Sequence, residues 1–125
     1  MKPSRRAEKF LTLLPDSPET HLALGIVLFR KKNYADAEKE LGEAIRLKPD
    51  FGRAYSYLSS VLIELERLDE AEQASRKVLT LLPDSPETHL GLGIVLFRKK
   101  NYADAERSLA RPFAVSRTSG GRTPI

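Results

Sequence analysis

The sequence predicts an all-α protein, an α-solenoid of stacked antiparallel helix–turn–helix repeats. Residues 11–38 recur almost letter for letter as residues 79–106, with one change, Ala23 against Gly91. A weaker copy lies halfway between them, so the offset of 68 residues halves to a period of 34. No stretch alternates apolar and polar residues as a half-buried strand does. A fixed period in this range is typical of stacked helical repeats.

The first unit has clear helix boundaries. Ser17 supplies a hydroxyl that can cap free amide groups, and Pro18 follows at a position where its missing N–H costs nothing. The helix that begins there is apolar on several sides, which predicts burial on several sides. The Lys32-Asn33 pair interrupts the pattern. A second helix, with apolar residues every three or four positions, then extends over about residues 34–48 until a proline ends it.

The later units repeat this plan with differences. In the second unit we expect helices over about residues 53–65 and 68–81. The third unit begins at Pro86 as a near copy of the first, and its Gly91 lowers the helix propensity by about 1 kcal/mol relative to alanine. Pro112 replaces a small helical residue of the first unit, so the last helix should end near Arg111.

These patterns divide the chain into five segments. They are residues 1–17, the second helix of a preceding repeat; 18–51, the first repeat; 52–85, the second repeat; 86–111, an incomplete third repeat; and 112–125, a disordered basic tail. Solenoids need polar capping helices at their ends, and the chain shows none. We therefore interpret it as a piece of a longer array.

Small and apolar residues recur at fixed spacings in the three units. The spacings read His21-x₂-Leu24-Gly25-x₂-Leu28 with Ala37-x₃-Leu41, then Tyr55-x₂-Leu58-Ser59-x₂-Leu62 with Ala71-x₃-Ser75, then His89, Leu92, Gly93, Leu96, Ala105 and Leu109. This pattern resembles the tetratricopeptide repeat (TPR), a helix–turn–helix of 34 residues, over about residues 7–110. Small residues such as Gly25 and Ala37 would face each other where two helix backbones approach closely. The resemblance implies a right-handed superhelix.

The resemblance also implies a concave groove, lined by the first helix of each repeat, in which a protein or peptide partner binds. The candidate groove residues are Leu22, Ile26, Phe29, Arg30, Ser56, Ser60, Ile63, Leu90, Ile94, Phe97 and Arg98. Some family members hold acidic chaperone tails with a clamp of Lys, Asn and Arg. The clamp positions here read Leu22, Ile26, Ser60, Leu90 and Ile94, so we expect no such clamp. A mostly apolar groove with a serine-lined centre favours an apolar peptide or an amphipathic helix.

Two other interpretations of the groove residues remain open. Their apolar side chains would also suit packing against a neighbouring repeat or a capping helix. The second of these interpretations is self-association through the uncapped ends of the array, because exposed apolar patches favour association.

We expect no enzymatic activity, no metal site and no cofactor. The chain has no cysteine, no pair of histidines at ligand spacing and no glycine-rich phosphate loop within a strand–helix context. His21 and His89 occupy equivalent repeat positions, and both are expected to be partly buried structural residues. Asp16 and Glu19 lie near a helix start, where carboxylates complement the helix dipole. The alternative is a recruiting segment of a larger enzyme, such as a transferase.

Charge and composition argue against two further classes of partner, nucleic acids and membranes. The net charge of +4 belongs to the ends, since residues 1–9 carry +3, residues 107–125 carry +4, and residues 10–106 carry −3. We interpret the basic ends as solvated tails and do not expect nucleic-acid binding. No apolar run reaches the roughly 20 residues of a membrane span, and the start lacks the apolar stretch of a secretory signal. The default expectation is a cytoplasmic protein with no membrane contact.

Overall fold

The computed structural model describes residues 16–110, which form five α-helices and no strand. The helices are α1 (Pro18–Arg30), α2 (Tyr34–Leu47), α3 (Gly52–Glu64), α4 (Leu68–Leu81) and α5 (Pro86–Ala110). The predicted all-α class is confirmed. The predicted disordered tail, and all but two residues of the predicted preceding helix, lie outside the described residues.

The first hairpin begins as the sequence predicts. The Ser17 side chain accepts a hydrogen bond from the Thr20 amide at 3.2 Å, and Pro18 is the first helical residue. At the turn, the Asn33 amide donates to the Leu28 carbonyl at 2.9 Å, and Lys32 has a φ of 65°. A positive φ costs a residue other than glycine about 1–2 kcal/mol, so this turn must be held by the packing around it.

That packing comes from close approach of α1 and α2. A Cβ atom placed on Gly25 would lie 2.8 Å from Leu41 Cγ, closer than real Cβ atoms come to any neighbour. Ala37 and Leu41 on α2 are fully buried. The close helix contact that the sequence predicts at Gly25 is therefore present, because only glycine leaves room for it.

The second hairpin, α3 and α4, repeats this geometry with hydroxyl groups at its centre. Ser59 occupies the position of Gly25, and its hydroxyl donates to the Ala71 carbonyl at 3.3 Å. Its oxygen also lies 2.6 Å from Ser75 Oγ. An ion pair joins the two hairpins, since Arg67 donates to both carboxylate oxygens of Glu38, at 2.7 and 2.9 Å.

The third unit differs from the prediction of a helical hairpin. The chain divides into one compact unit that ends at Val95 and a second that begins at Leu96, and α5 contains this boundary. The segment Lys99–Asn101 has the same sequence as the turn at Lys31–Asn33, yet it is helical. In the second unit, Phe97 is 66% and Leu109 is 78% exposed.

The two segments differ because the helix that follows each of them buries a different amount of surface. In the first hairpin, α2 packs against both α1 and α3, which offsets the cost of the strained turn at Lys32. The sequence after the second copy, residues 107–125, does not repeat residues 39–57, which continue α2 and lead into α3. A turn at Lys100 would therefore gain less buried surface, and an unbroken helix avoids the left-handed conformation.

The core lies in the first unit and consists of two clusters. The larger one joins the first hairpin to α3 and includes Leu22, Leu41 and Val61. The smaller one joins the second hairpin to the start of α5, where Val95 is fully buried beside Leu62 and Ala74. The two clusters are successive layers of the repeat.

Candidate peptide-binding site

A cavity of about 240 Å³ lies between α3, α4 and the start of α5, wholly within the first unit. We call it the serine pocket. Its hydroxyl-bearing lining comprises Ser56, Ser59, Ser60, Ser75 and Thr88. Its apolar lining comprises Ile63, Val78, Leu90 and Ile94, and Gly91 and Glu87 complete it. The pocket thus combines a polar wall with an apolar rim.

The buried hydroxyls of the serine pocket are held in a short network. Ser59 and Ser75 are 5% and 3% exposed. When Ser59 donates to the Ala71 carbonyl, Ser75 must donate to Ser59. The Ser75 oxygen then keeps acceptor capacity. Thr88 donates its hydroxyl to the Leu82 carbonyl at 3.2 Å, which closes the α4–α5 connection.

The repeat register explains why the cavity exists. Val95 at the start of α5 and Val61 on α3, one period apart, are both fully buried, and Val95 packs against the second hairpin. In this register Gly91 corresponds to Tyr57. A Cβ atom on Gly91 would have no neighbour within 4 Å. The cavity is therefore the space that an aromatic side chain occupies one repeat earlier.

The structure brings together five of the predicted groove residues. Ser56, Ser60 and Ile63 on α3, and Leu90 and Ile94 on α5, all line the serine pocket. Leu90 is 64% and Ile94 is 41% exposed, so both present apolar surface to solvent.

The other predicted groove residues have different surroundings. Leu22 is only 4% exposed and belongs to the core. Phe29 packs between two tyrosine rings, with centroid distances of 5.8 Å to Tyr34 and 6.3 Å to Tyr57. Both are used by the fold itself. Ile26 is half-buried against the same core, Arg30 is exposed, and Phe97 and Arg98 lie in the second unit.

Sequence reasoning missed part of the pocket. Ser75, Val78 and Thr88 line it, although none was among the predicted groove residues. The signal was available in the repeat register, because Gly91 replaces Tyr57 and Ser75 replaces Leu41, each a large side chain exchanged for a small one.

A second polar cluster surrounds His21. Its Nδ1 lies 2.7 Å from a Glu40 oxygen, and its Nε2 is hydrogen-bonded to Asp16. Burial lowers the pKa of His21, but hydrogen bonds and charge attraction from Glu40 and Asp16 outweigh it and raise the pKa above its ordinary value. His21 thus ties the start of α1 to α2, in agreement with the predicted structural role.

His89 does not share this environment. Glu40 is replaced by Ser108 in the second copy, and His89 Nε2 lies 3.3 Å from the Pro83 carbonyl instead. The ring is exposed, so the expectation that His89 is partly buried is wrong.

Two further findings concern residues 16–110 alone. No group of three or more acidic, histidine or cysteine side chains there could hold a metal ion. No helix in this part of the chain has the length and apolar character needed to cross a membrane.

Sequence comparison agrees with this architecture. The tetratricopeptide repeat family pattern matches residues 5–50 and 22–86, and a second pattern of the same description matches residues 62–115. The chain belongs to the tetratricopeptide repeat family. No curated protein matches the sequence.

Several solved structures are similar to the chain. The second TPR domain of human RPAP3, in complex with an HSP70 peptide, has a TM-score of 0.68 at 22% identity, over 72% of this chain and 78% of that one. The first TPR domain of human RPAP3 has a TM-score of 0.68 at 27% identity, over 80% and 76%. MamA gives 0.68 at 22% identity, over 91% and 67%. These likenesses confirm the TPR fold.

Proposed function

We propose that this chain is a non-enzymatic protein-interaction module that binds a peptide or a helix of a partner across the face formed by α3 and the start of α5. The serine pocket carries this proposal, because five of the predicted groove residues converge on it. Concave sites that mix an apolar lining with a few fixed polar groups are the usual form of binding sites. The RPAP3 domain in complex with a peptide supports peptide binding as a use of this fold.

The lining of the pocket favours an uncharged segment of the partner. Among the described residues that line it, Glu87 is the single charged side chain. The hydrogen bond from the Ser85 hydroxyl lowers the pKa of Glu87, so this carboxylate is ionised at neutral pH. An acidic tail would meet a like charge and no cation, whereas an apolar or neutral polar segment meets Leu90, Ile94 and the serine hydroxyls.

Capture from the native lysate, followed by mass spectrometry, tests this function. The test variant is Leu90→Glu with Ile94→Glu, which places two charges on the apolar rim of the pocket. Ala35→Glu is the control, because Ala35 is an exposed residue on α2 outside the pocket. We expect the double variant to lose the captured protein and the control to retain it, with helical circular dichroism unchanged in both. Retention of the protein by the folded double variant would contradict the proposal.

Self-association is a second proposal, carried by a different observation. In the second unit, the apolar side chains of Leu96, Phe97 and Leu109 are between 40% and 78% exposed. Exposed apolar side chains of this kind favour contacts between protein molecules.

A further inference from the structure

We propose that the serine pocket receives a tyrosine side chain of the partner, so that the bound segment is anchored by an unmodified tyrosine. This inference rests on the proposed function, since it names the residue that a bound segment inserts. Three observations support it: the position of the cavity in the repeat, its size and the polarity of its lining.

The register shows which side chain fits. One repeat earlier, the space that corresponds to the pocket holds Tyr57, whose ring packs edge-on against Phe29 with an interplanar angle of 75°. Gly91 replaces Tyr57, and Ile63, which lines the pocket, replaces Phe29. The chain therefore contains its own example of an aromatic ring at this joint between repeats, and at the second joint that ring is missing.

The size of the cavity agrees with one aromatic side chain. Its volume of about 240 Å³ exceeds the roughly 150 Å³ of an engineered cavity that binds benzene. It is smaller than the roughly 300 Å³ at which clefts for drug-sized ligands begin. Because Gly91 has no neighbour within 4 Å of its would-be Cβ, a ring can lie directly against the α5 backbone.

The polarity of the pocket selects tyrosine over phenylalanine. Ile63, Val78 and Ile94 offer apolar contacts to a ring. The Ser75 oxygen can accept a hydrogen bond from a phenol O–H, as derived above from the Ser59 network. A phenylalanine ring gains no hydrogen bond from this oxygen, so it should bind more weakly than tyrosine does.

The charge of the pocket selects against a phosphorylated tyrosine. A phosphate carries a charge between about −1.5 and −2 at neutral pH and is bound in proteins by arginine clusters or helix N-termini. The described lining contains no lysine or arginine, and the helix N-terminus that lines it, the first turn of α5, already carries the Glu87 carboxylate. Phosphorylation of the anchor would therefore release it.

The test uses 4-methylphenol, the isolated tyrosine side chain, as the probe in a two-dimensional amide NMR titration of the full chain. Toluene and 4-methylphenyl phosphate are titrated in parallel. We expect the phenol to shift the amides of Ser56, Ser60 and Gly91 in a saturable way, toluene to bind at least fivefold more weakly, and the phosphate to cause no saturable shift.

Two variants locate the binding. Gly91→Tyr puts the Tyr57 side chain at the equivalent place and fills the pocket from within, so the phenol shifts should vanish and the melting temperature should rise. Gly93→Tyr is the matched control, since Gly93 also has no neighbour within 4 Å of its would-be Cβ but lies outside the lining. It should bind the phenol as the parent chain does.

Each contrary outcome has a definite meaning. Absence of saturable shifts with the phenol, equal binding of toluene, or unchanged phenol binding by Gly91→Tyr would overturn the tyrosine inference. Partner capture that depends on Leu90 and Ile94 would still stand in that case, because it does not require a tyrosine. Failure of capture together with saturable phenol binding would instead remove the proposed function and leave the pocket chemistry intact.

Discussion

Val95 on α5 is buried as completely as Val61 on α3, one repeat earlier in the sequence. Their equivalence shows that the start of α5 continues the stack of repeats, although the rest of the third unit does not form a hairpin. The same equivalence places Gly91 at the position of Tyr57 and so defines the serine pocket.

Val95→Ala should destabilise the first unit by about 2–3 kcal/mol. The loss combines the transfer free energy of a fully buried valine with the cavity left among Leu62, Ile63 and Ala74. Urea unfolding measures it. Leu90→Ala is the control, because its side chain is 64% exposed and should change stability by less than about 0.5 kcal/mol. Equal effects of the two variants would show that α5 does not pack on the second hairpin.

Replacing two glycines of the repeated segments with alanine should have opposite effects on stability. Gly91→Ala should stabilise the chain by up to about 1 kcal/mol, because a Cβ there has no neighbour and helix propensity improves. Gly25→Ala should destabilise it, because the new Cβ would clash with fully buried Leu41, and overpacking costs about 1–3 kcal/mol. Melting temperatures of the two variants test the pair. A fall for both or a rise for both would disagree with the structure.

Replacing two equivalent lysines with glycine should distinguish the turn in the first copy from the helix in the second. Lys32→Gly relieves a positive φ and should raise stability by up to about 1 kcal/mol. Lys100→Gly introduces glycine inside α5 and should lower the helical circular dichroism, because glycine costs about 1 kcal/mol in a helix interior. Cα chemical shifts provide an independent reading, with helical values at Lys100 and not at Lys32. Matching shifts at the two sites would mean that the second copy also turns.

The His21 cluster should make stability depend on pH. Because its folded pKa is raised above 6.5, protonated His21 contributes stability that is fully present below that unfolded value and is lost as the pH rises through the folded pKa. The urea midpoint of the parent chain should be higher than that of His21→Gln. This difference should be larger at about pH 5.5 than at about pH 8.5. Glu40→Gln removes one carboxylate partner and should reduce the pH dependence. A difference that grows towards alkaline pH would contradict the ion pairs.

Much of the fold could be predicted from the sequence, because the signals are local. The Ser17-Pro18 start, the Lys32 break and the small residue at Gly25 each determine a short stretch of backbone. The unbroken α5 could not be predicted in this way. Its Lys99–Asn101 segment is identical to a real turn, and the outcome depends on what packs against the helix that follows.

The site was predicted in part for a similar reason. The resemblance to the tetratricopeptide repeat placed Ser60 and Leu90 in one groove, and both line the pocket. It could not show that Phe29 is held by Tyr34 and Tyr57, since ring contacts depend on how hairpins stack. The pocket itself is a space left by Gly91, and it becomes visible only when successive repeats are superimposed by register.

Site-specific photo-crosslinking locates a bound partner and so shows whether it lies on the α3–α5 face at the serine pocket. A photoreactive amino acid is placed at Ser56, an exposed position on the pocket wall, or at Ala35, an exposed position on α2. The captured partner is then added to each folded protein, and the mixture is irradiated. We expect a crosslink from position 56 and none from position 35, whereas a crosslink from position 35 alone would show that the partner binds elsewhere.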